Sequence, residues 1–284
     1  MKAQASLDVE PESLRWHDRA PVALRPTGRG QVHLVQAAGG PLGGDELGLD
    51  LTVAAGAEIE VRSAAATVAQ PGPDGEPAQW SVRADIAGAL RWWPEPTVVC
   101  ANADYRARLT VDLATGARLI LREQVILGRA GELGGRYRGR LTVRVAGVPL
   151  VDTETVLDGA DTALSGPAGS AGFRVFGSVL VVGPDLPKLD ESAHVDAGVR
   201  GAVLPLDGPG YLLLALGNTA AAVDRHQRVV RTRLGLSSSG CRASSAAPSS
   251  SPSGSSPGTI GISSAPTRND RRPTWSSTIS GRSR

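Results

Sequence analysis

The sequence has few of the residues from which metal centres and disulfide frameworks are most often built. Its 284 residues include two cysteines, four histidines and one methionine. Cys100 and Cys241 lie far apart, and the histidines stand singly, without a CxxC, HxH or HExxH pattern. This spacing excludes a cysteine framework and a closed zinc site, and it is typical of a protein kept in a reducing compartment.

Long hydrophobic runs are also missing. The first residues, MKAQASLDVEPESLRWHDRAP, contain no apolar segment of the kind that directs secretion. The longest apolar stretches, at residues 179–182 and 211–216, are far too short to span a bilayer. The sequence therefore predicts a cytoplasmic protein that has no membrane partner.

The chain has no concentrated run of basic charge. Lys and Arg number 30 against 28 for Asp and Glu, and the formal net charge is +2. Six arginines lie after residue 235 against one aspartate, so the rest of the chain is slightly acidic. A nucleic-acid footprint is not expected.

Motifs for phosphate binding and nucleophilic catalysis are absent. The glycine-rich stretch AAGGPLGGDELGLDLTV, residues 37–53, lacks the Lys and Ser or Thr of a P-loop, and it continues into Asp45, Glu46 and a strand pattern. No GxSxG elbow occurs, and Cys100 has no histidine near it in sequence. We therefore expect a protein that is not an enzyme.

Alternation of apolar and polar residues dominates what is present. It appears in the segments that contain Leu47 to Val53, Trp80 to Ile86, Leu109 to Leu113 and Leu141 to Val145, and each predicts a half-buried strand. Gly (35) and Pro (20) are abundant and aromatic residues make up only 4%, which also favours many short elements.

A repeat underlies these strands. The segments LTVAAGAEIEV, VRADIAGALRW, LTVDLATGARLIL and LTVRVAGVPLV each consist of a strand pattern, a turn with glycine and a second apolar strand. The turn glycines are Gly56, Gly88, Gly116 and Gly147. Regular spacing of this kind indicates stacked units, so the sequence predicts a mainly β protein of layered sheets resembling a β-solenoid, with a two-sheet sandwich as the alternative.

Composition divides the chain into three parts. Residues 1–25 form a polar N-terminal segment, 26–235 a β domain, and 236–284 a tail rich in Ser, Pro and Arg that is expected to be disordered. The abrupt start of the tail is what a shifted reading frame in a GC-rich gene produces. The small helical element is predicted at residues 215–236, with Asn218 or Thr219 as N-cap and Gly235 as C-cap.

Acidic residues occupy three unusual places. Asp45 follows the glycine turn, and it either faces an interior passage or caps its own turn through an Asx hydrogen bond. Glu123 lies inside the apolar strand LILREQVIL, where it needs an arginine partner or a polar lining. Asp152 and Glu154 share one strand face, and we expect that face to be solvated.

The segment RWWPEPTVV, residues 91–99, must leave its strand, because Pro94 and Pro96 cannot donate to a sheet ladder. Paired tryptophans at such an exit are more often a core plug than a binding anchor. We therefore expect Trp92 and Trp93 to be buried.

Four motifs occur in an order that resembles the urease accessory protein family UreD, called UreH in some bacteria. They are GGPLGGDEL, SAAAT at 63–67, ALRWWPEPTVV at 89–99 and LTVDLATGARLILREQVILGR at 109–129. The resemblance continues more thinly to about residue 220. One departure is that Val68, Ala69 and Gln70 follow the AAT tripeptide, where the family carries Lys and an aromatic residue.

The resemblance implies a non-enzymatic role. UreD proteins form a complex with the urease apoprotein, UreF and the GTPase UreG, and nickel is thought to pass through a channel within UreD. Asp45 and Glu123 match acids of the family motifs, and Glu154 matches less closely. No cofactor would be permanently bound, with nickel only in transit, because carboxylates spaced along a wet passage bind this ion without the closed cage of a Cys/His site.

Two departures bear on this role. The family usually continues as an apolar helical segment where this chain becomes its Ser/Pro/Arg tail, which bears on recruitment of UreF. The alternative function is a β-solenoid protein-binding module without a metal role. Such a module would carry an exposed aromatic or acidic ladder with the period of the repeat, and the five tryptophans do not follow that period.

Overall fold

The protein is mainly β, as the sequence predicts. A computed structural model describes residues 1–196 and 198–233. The expected tail and the C-cap at Gly235 lie outside the described residues. No helix in the described ranges combines the length and apolar character needed to cross a membrane.

Eighteen strands and two short helices make up the described chain. In chain order they are β1 (Lys2–Glu10), β2 (Ser13–His17), β3 (Val22–Gly28), β4 (Gln31–Gln36), β5 (Glu46–Val53), β6 (Glu58–Ser63), β7 (Thr67–Ala69), β8 (Ala78–Ile86), β9 (Ala89–Trp93), β10 (Thr97–Val99), β11 (Asp104–Leu113), β12 (Arg118–Leu127), β13 (Arg136–Val145), β14 (Val148–Asp158), α1 (Thr162–Ser165), β15 (Val175–Val182), β16 (Ser192–Asp196), β17 (Val199–Pro205), β18 (Gly210–Gly217) and α2 (Ala220–Arg233).

The strands form two sheets. The first sheet has the order β14-β13-β11-β8-β5-β1-β2. The second has the order β16-β17-β18-β15-β12-β9-β6-β4-β3, with β7 and β10 off this path. Consecutive strands β5 and β6, β8 and β9, and β11 and β12 belong to opposite sheets, and each pairs in parallel with the equivalent strand of a neighbouring unit. The chain thus winds as stacked units, which confirms the solenoid-like architecture.

Three of the four repeat glycines lie at the turns that lead from one sheet to the other. Gly56 and Gly116 have φ values of +76° and +81°, a region that glycine adopts without steric cost. Gly88 is required for another reason, because a Cβ there would lie 2.1 Å from the Ala57 carbonyl oxygen.

The fourth glycine makes a different turn. Ala146 and Gly147 both have positive φ, 49° and 80°, and they join β13 to β14 as an antiparallel hairpin within the first sheet. Positive φ at both central residues is the geometry of a tight hairpin turn. The four segments, which are alike in sequence, therefore differ in the structure: the fourth is a hairpin within one sheet, and the other three lead from sheet to sheet.

The core fills the space between the sheets because alternate residues of each strand face inward. One rung of buried side chains in the first sheet runs across five neighbouring strands and consists of Leu7, Leu51, Ala84, Val111 and Val143. The polar N-terminal residues join this sheet, since Ala3, Ala5, Leu7 and Val9 of β1 alternate with polar residues and are buried.

The prolines of RWWPEPTVV separate β9 from β10, as expected. Trp92 and Trp93 are each 4% exposed, which confirms that they are buried. Trp92 belongs to the core between the sheets. Trp93 packs on the opposite face of the second sheet, in a smaller cluster with Val179, Val181 and Leu213.

Helix α2 packs on that outer face and confirms the predicted C-terminal helix. The Thr219 hydroxyl accepts a hydrogen bond from the Ala222 amide at 3.2 Å, so Thr219 is the N-cap. Val223 is fully buried against β15 and β18, beside Gly177 and Gly217. The glycine positions bring the helix close to the sheet, because a Cβ at Gly177 would lie 2.6 Å from Val223 Cγ1.

Candidate functional site

The glycine turn before β5 holds Asp45 in place. Gly43 packs directly on Gly72, so that a Cβ at Gly43 would lie 2.5 Å from the Gly72 nitrogen, and Gly44 has φ +88°. Asp45 Oδ2 accepts a hydrogen bond from the Leu42 amide at 2.9 Å, and Oδ1 lies 2.7 Å from the Met1 amine. Both carboxylate oxygens of this buried side chain therefore have partners, and Asp45 caps its own turn.

Glu123 lies in the inner row of β12, between Leu121 and Val125. The Tyr137 hydroxyl, from β13 of the opposite sheet, donates a hydrogen bond to Glu123 Oε1. Burial raises the pKa of the Glu123 carboxyl, and the hydrogen bond from Tyr137 opposes that rise. The partner of this acid is thus a tyrosine, and no ion pair to Glu123 occurs among the described residues.

Tyr137 reaches Glu123 because its strand neighbour is a glycine. A Cβ at Gly139 would lie 2.3 Å from the Tyr137 hydroxyl oxygen, so any side chain there would displace the phenol. The Tyr105 ring stacks on Tyr137 with centroids 6.2 Å apart. Burial raises the pKa of Tyr137 well above its usual value, and the neighbouring Glu123 raises it further.

A cavity of about 420 Å³ opens on Glu123. Its floor is formed by Glu123 and Tyr137, and its walls come from both sheets and are mainly apolar, with Leu157 on one side and Phe176 and Leu216 on the other. Protein surrounds the Glu123 side chain, but the cavity leaves it half-buried. The cavity therefore presents one carboxyl group, that of Glu123, and one guanidinium group, that of Arg200, among mainly apolar side chains.

Asp152 and Glu154 lie on the outer face of β14, and both are exposed. Asp152 Oδ2 pairs with Arg140 at 3.0 Å, and Asp152 Oδ1 accepts a hydrogen bond from the Thr142 hydroxyl. Glu154 lies directly opposite Arg140 in the hairpin register. The solvated strand face predicted from the sequence is confirmed.

The acids singled out from the sequence do not form one cluster. Asp45 precedes β5 in a rung of the first sheet that continues through Ala78 and Tyr105 to Tyr137. Strands lie about 4.8 Å apart, so Asp45 and Tyr137 are separated by about 14 Å. No group of three or more His, Cys, Asp or Glu side chains that could hold a metal ion occurs in residues 1–196 and 198–233.

A second polar cluster, which the sequence did not predict, lies on the outer face of β12. Arg122 is 5% exposed in its side chain and lies 3.5 Å from Asp224 of α2. It also donates to the Pro94 carbonyl at 3.2 Å and to Gln124, and its guanidinium lies 5.0 Å from the centre of the Trp93 ring. Burial lowers the pKa of Arg122, while Asp224 raises it.

The alternation of β12 contains the signal for this cluster. Glu123 faces the core, so Arg122 and Gln124 must face the other way. That other face would have been assigned to solvent from the sequence. It is covered because α2 returns over it, which a pattern within one strand does not show.

Cys100 is poorly placed for nucleophilic chemistry. Cys100 is 2% exposed, and burial raises the pKa of its thiol, which makes the reactive thiolate less available. Glu123 has an aromatic donor as its partner, without a base and nucleophile pair beside it. The cavity offers a hydrogen-bond donor or a cation the carboxyl group of Glu123, and its lining also contains the guanidinium group of Arg200.

The fold and the site define a class: a β-solenoid-like protein with a cavity between its sheets that is lined by the carboxyl group of Glu123. Comparison with known proteins gives the family. The model of the UreD urease accessory protein family matches residues 15–246. The chain belongs to the UreD family of urease accessory proteins.

Its relatives agree. The chain is 44% identical over 212 residues to "Urease accessory protein UreD" of Frankia alni, which covers 68% of this chain and 70% of that one. It is 40% identical over 257 residues to the Parafrankia protein of the same name, with 79% and 86% covered. The Streptomyces coelicolor protein of that name is 42% identical over 213 residues, with 72% and 83% covered.

Proposed function

We propose that this chain serves urease maturation as a scaffold that binds the urease apoprotein together with UreF and UreG, and that nickel passes through it as cargo. The family assignment supports the accessory role. We propose, beyond that assignment, that the apoprotein, UreF and UreG are its partners and that nickel is its cargo. The single observation that carries the nickel step is the carboxyl group of Glu123 on the floor of an open cavity.

The chemistry of the cavity suits transfer rather than storage. Ni²⁺ accepts carboxylate and water oxygens as ligands, and one carboxyl group supplies only one or two of them. The remaining positions would be filled by water, so the ion could leave again. Ionisation of Glu123 releases the proton that its raised pKa retains, and a bound cation would favour this ionised form.

Glu154 and Asp45 have different places in this proposal. Glu154 is exposed on β14, whose neighbouring residue Thr155 lines the cavity, so Glu154 would meet the ion outside the cavity. Asp45 would meet it at the head of β5, and its present contacts with Leu42 and Met1 would have to be exchanged. Glu123 is therefore the position at which we expect the largest effect.

The experiment is activation of urease apoprotein by UreF, UreG, Ni²⁺ and this chain. Glu123→Gln keeps an oxygen that can accept from Tyr137 and removes the ionisable group. We expect it to coprecipitate normally with the apoprotein. We expect it to lower the activation rate about tenfold, because the ion loses one charged ligand. Asp45→Ala combined with Glu123→Ala tests the first two acids together.

Glu154→Gln is the matched control, because it makes the same replacement at an exposed position. We expect a smaller effect from it than from Glu123→Gln. Normal activation by Glu123→Gln, with normal coprecipitation, would reject the nickel step and leave a protein-binding module without a metal role. Failure of the wild-type chain to coprecipitate with the apoprotein would reject the proposed scaffold role.

A further inference from the structure

The outer face of the first sheet, which is turned away from the core, is depressed at Gly48. Alternation along β5 places Gly48 on this face between Glu46 and Asp50. Its neighbours in the register are Gln4 of β1 and Ser81 of β8. The Gln4 amide lies over the glycine, since a Cβ at Gly48 would lie 2.0 Å from Gln4 Oε1. The missing side chain therefore leaves a shallow place in this face.

A cavity of about 450 Å³ opens at this place. It lies on the outside of the first sheet, whereas the cavity at Glu123 lies between the sheets. Gln4, Gln79 and Ser81 line it with amide and hydroxyl groups, which both donate and accept hydrogen bonds. His17, the last residue of β2, and Arg19 line it at the edge of the sheet. The amide and hydroxyl groups suit the N–H and C=O groups of a peptide backbone.

A cation without a carboxylate partner stands at each end of the cavity. Arg19 stands at the β2 end, where the adjacent Asp18 already pairs with Arg25. Arg108 of β11 stands at the other end, next to Ser81 in the register. No ion pair to Arg19 or Arg108 occurs in residues 1–196 and 198–233. Both positions can therefore accept a carboxylate from another molecule.

The surroundings of Arg108 are basic. Arg140 lies directly opposite it in β13, and Arg106 precedes it by two residues on the same face. The acids that pair with these two arginines, Asp152 and Asp104, lie on the sides away from Arg108. Like charges directly opposite each other destabilise a sheet. A carboxylate bound at Arg108 would reduce this repulsion.

The acids in and beside the cavity already have partners. Glu46 pairs with Lys2 at 2.9 Å. Asp50 accepts a hydrogen bond from Gln4 at 2.9 Å and lies 3.9 Å from Arg83. The charge that lacks a partner at this site is therefore positive.

Spacing and composition favour one kind of occupant. Strands β1, β5, β8 and β11 are consecutive neighbours in the sheet, so β1 and β11 lie about 14 Å apart. An extended chain covers this distance in about four residues. A nucleic acid carries a charge on every phosphate and would meet Glu46 and Asp50 between the two ends. No Trp, Tyr or Phe occurs among the described residues that line the cavity, so bases would have no aromatic ring on which to stack.

We propose that this cavity binds an extended acidic segment of a partner protein, laid across β1, β5, β8 and β11. One carboxylate binds at Arg19, and a second one, four residues along the segment, binds at Arg108. The side chains of Gln4, Gln79 and Ser81 bind the backbone between them. This site goes beyond the proposed function and depends on neither nickel nor Glu123.

The test uses the full chain without nickel and a capped peptide of about seven residues, with two glutamates four positions apart and Thr and Asn between them. Binding is measured by NMR titration at low salt, where screening is weak. We expect the amide signals of residues 46–50 and 79–83 to shift as the peptide saturates the chain. A peptide with the same composition but adjacent glutamates is expected to bind about tenfold more weakly, and one with Gln for both glutamates is expected not to bind.

Two charge variants locate the ends of the site. Arg19→Gln and Arg108→Gln are each expected to weaken binding of the peptide about tenfold, or about 1.4 kcal/mol. Arg15→Gln is the matched control, because Arg15 is an exposed arginine of the same sheet that pairs with Glu10. It is expected to bind the peptide as the wild type does.

A third variant fills the cavity without changing charge. Ser81→Leu places a larger side chain in the lining and is expected to abolish binding. Thr52→Leu makes a similar change at an exposed position of β5 outside the cavity and is expected to have no effect. The arginine variants remain informative if Ser81→Leu fails to fold, because they change only exposed side chains.

Four outcomes would overturn the proposal. The first is the absence of shifts at residues 46–50 and 79–83 at the highest peptide concentration. The second is equal binding of the peptide with adjacent glutamates, which would show attraction between charges without a defined site. The third is tighter binding of a single-stranded oligonucleotide at the same residues. The fourth is the same set of shifts on raising the protein concentration without peptide, which would make a second copy the occupant.

Discussion

A carboxyl group in the inner row of a sheet destabilises a protein unless something compensates for its lost hydration. For Glu123 the compensation comes from the Tyr137 hydroxyl and from the cavity that admits solvent. Retaining the proton also lowers the cost, which is why burial raises the pKa of this group. These three features make Glu123 the residue whose surroundings most clearly depart from those of an ordinary core position.

Replacing Tyr137 by Phe should destabilise the protein by about 1–3 kcal/mol, because it leaves the buried carboxyl without its donor. Chemical denaturation followed by circular dichroism measures this free energy of unfolding. Tyr105→Phe is the control, since the Tyr105 ring packs on Tyr137 while Tyr137 is the donor to Glu123. Equal losses in the two variants would show that the hydrogen bond contributes nothing of its own.

The raised pKa of Glu123 has a defined effect on stability. Below its usual value of 4.5 the group is protonated in both the folded and the unfolded chain. As the pH rises from there to the raised pKa, the unfolded chain releases this proton first, so the free energy of unfolding falls. Above the raised pKa this contribution is constant.

The side chain of the Glu123→Gln variant does not titrate at this position. The variant should therefore lack the part of the decrease in the free energy of unfolding that comes from Glu123. We expect its free energy of unfolding to decrease less than that of the wild type between about pH 5 and about pH 8. Urea denaturation at the two pH values gives the difference, and the exposed Glu154→Gln serves as the control. Parallel behaviour of wild type and Glu123→Gln would contradict the prediction.

The sequence predicts which face of its strand each acid occupies, but not its partners. Alternation in LILREQVIL places Glu123 on the apolar side. Tyr137 is the partner because β13 lies across the interior from β12, and Gly139 leaves room for its ring. Such contacts depend on how two sheets are placed, which a pattern within one strand does not contain. The Asx hydrogen bond of Asp45 depends only on the local turn, so the sequence could predict it.

At the scale of elements, the turns between the sheets determine how closely the units stack. Gly88 packs against the turn of the preceding unit, at the Ala54 and Ala57 carbonyl oxygens. A Cβ added at Gly116 would meet no other atom within 4 Å, but the φ of this residue is +81°. The two glycines are therefore required for different reasons, close packing in one case and backbone conformation in the other.

These reasons predict different costs. Gly116→Ala should destabilise by about 1–2 kcal/mol, the strain of a left-handed residue. Gly88→Ala should destabilise by about 3 kcal/mol or more, because two backbone segments must separate. Thermal and urea unfolding of the two variants compare them directly. A larger loss for Gly116→Ala would mean that the turn at Gly88 adjusts easily.

Helix α2 is held by a buried ion pair as well as by its apolar side. Arg122→Met removes a charge that contacts Asp224, Gln124 and the Trp93 ring. We expect a loss of about 3 kcal/mol, together with faster amide exchange in Ala220–Arg233. Arg225→Met, an exposed position of the same helix, is the matched control. Unchanged exchange in α2 would show that apolar packing alone holds the helix.

At the scale of the whole molecule, stability should fall toward the free edges. Strands β8 and β11 have hydrogen-bonded neighbours on both sides, whereas β14, β2, β16 and β3, at the ends of the two sheets, each have one. We expect amide exchange of the isolated chain to be slowest in β8 and β11 and fastest in these four edge strands. Uniform exchange across both sheets would indicate that the molecule opens only as one unit.

The repeat of turn glycines was sufficient to predict stacked layers, since three of its turns do lead from sheet to sheet. It could not show that the turn at Gly147 keeps the chain within one sheet while the other three turns cross between sheets, a difference that accompanies the additional positive φ of Ala146. A pattern that treats the four segments as alike does not contain this difference.

The parallel winding also affects how the chain folds. Strand β1 pairs in parallel with β5, so that Ala3 lies beside Leu47, which is distant in sequence. Pairings between distant segments require loop closure before they return any stabilisation, and they form slowly. Refolding from denaturant should therefore take longer than for a helical protein of this size, and the yield should fall as protein concentration rises, because unpaired strands can meet other chains before they meet their own partners.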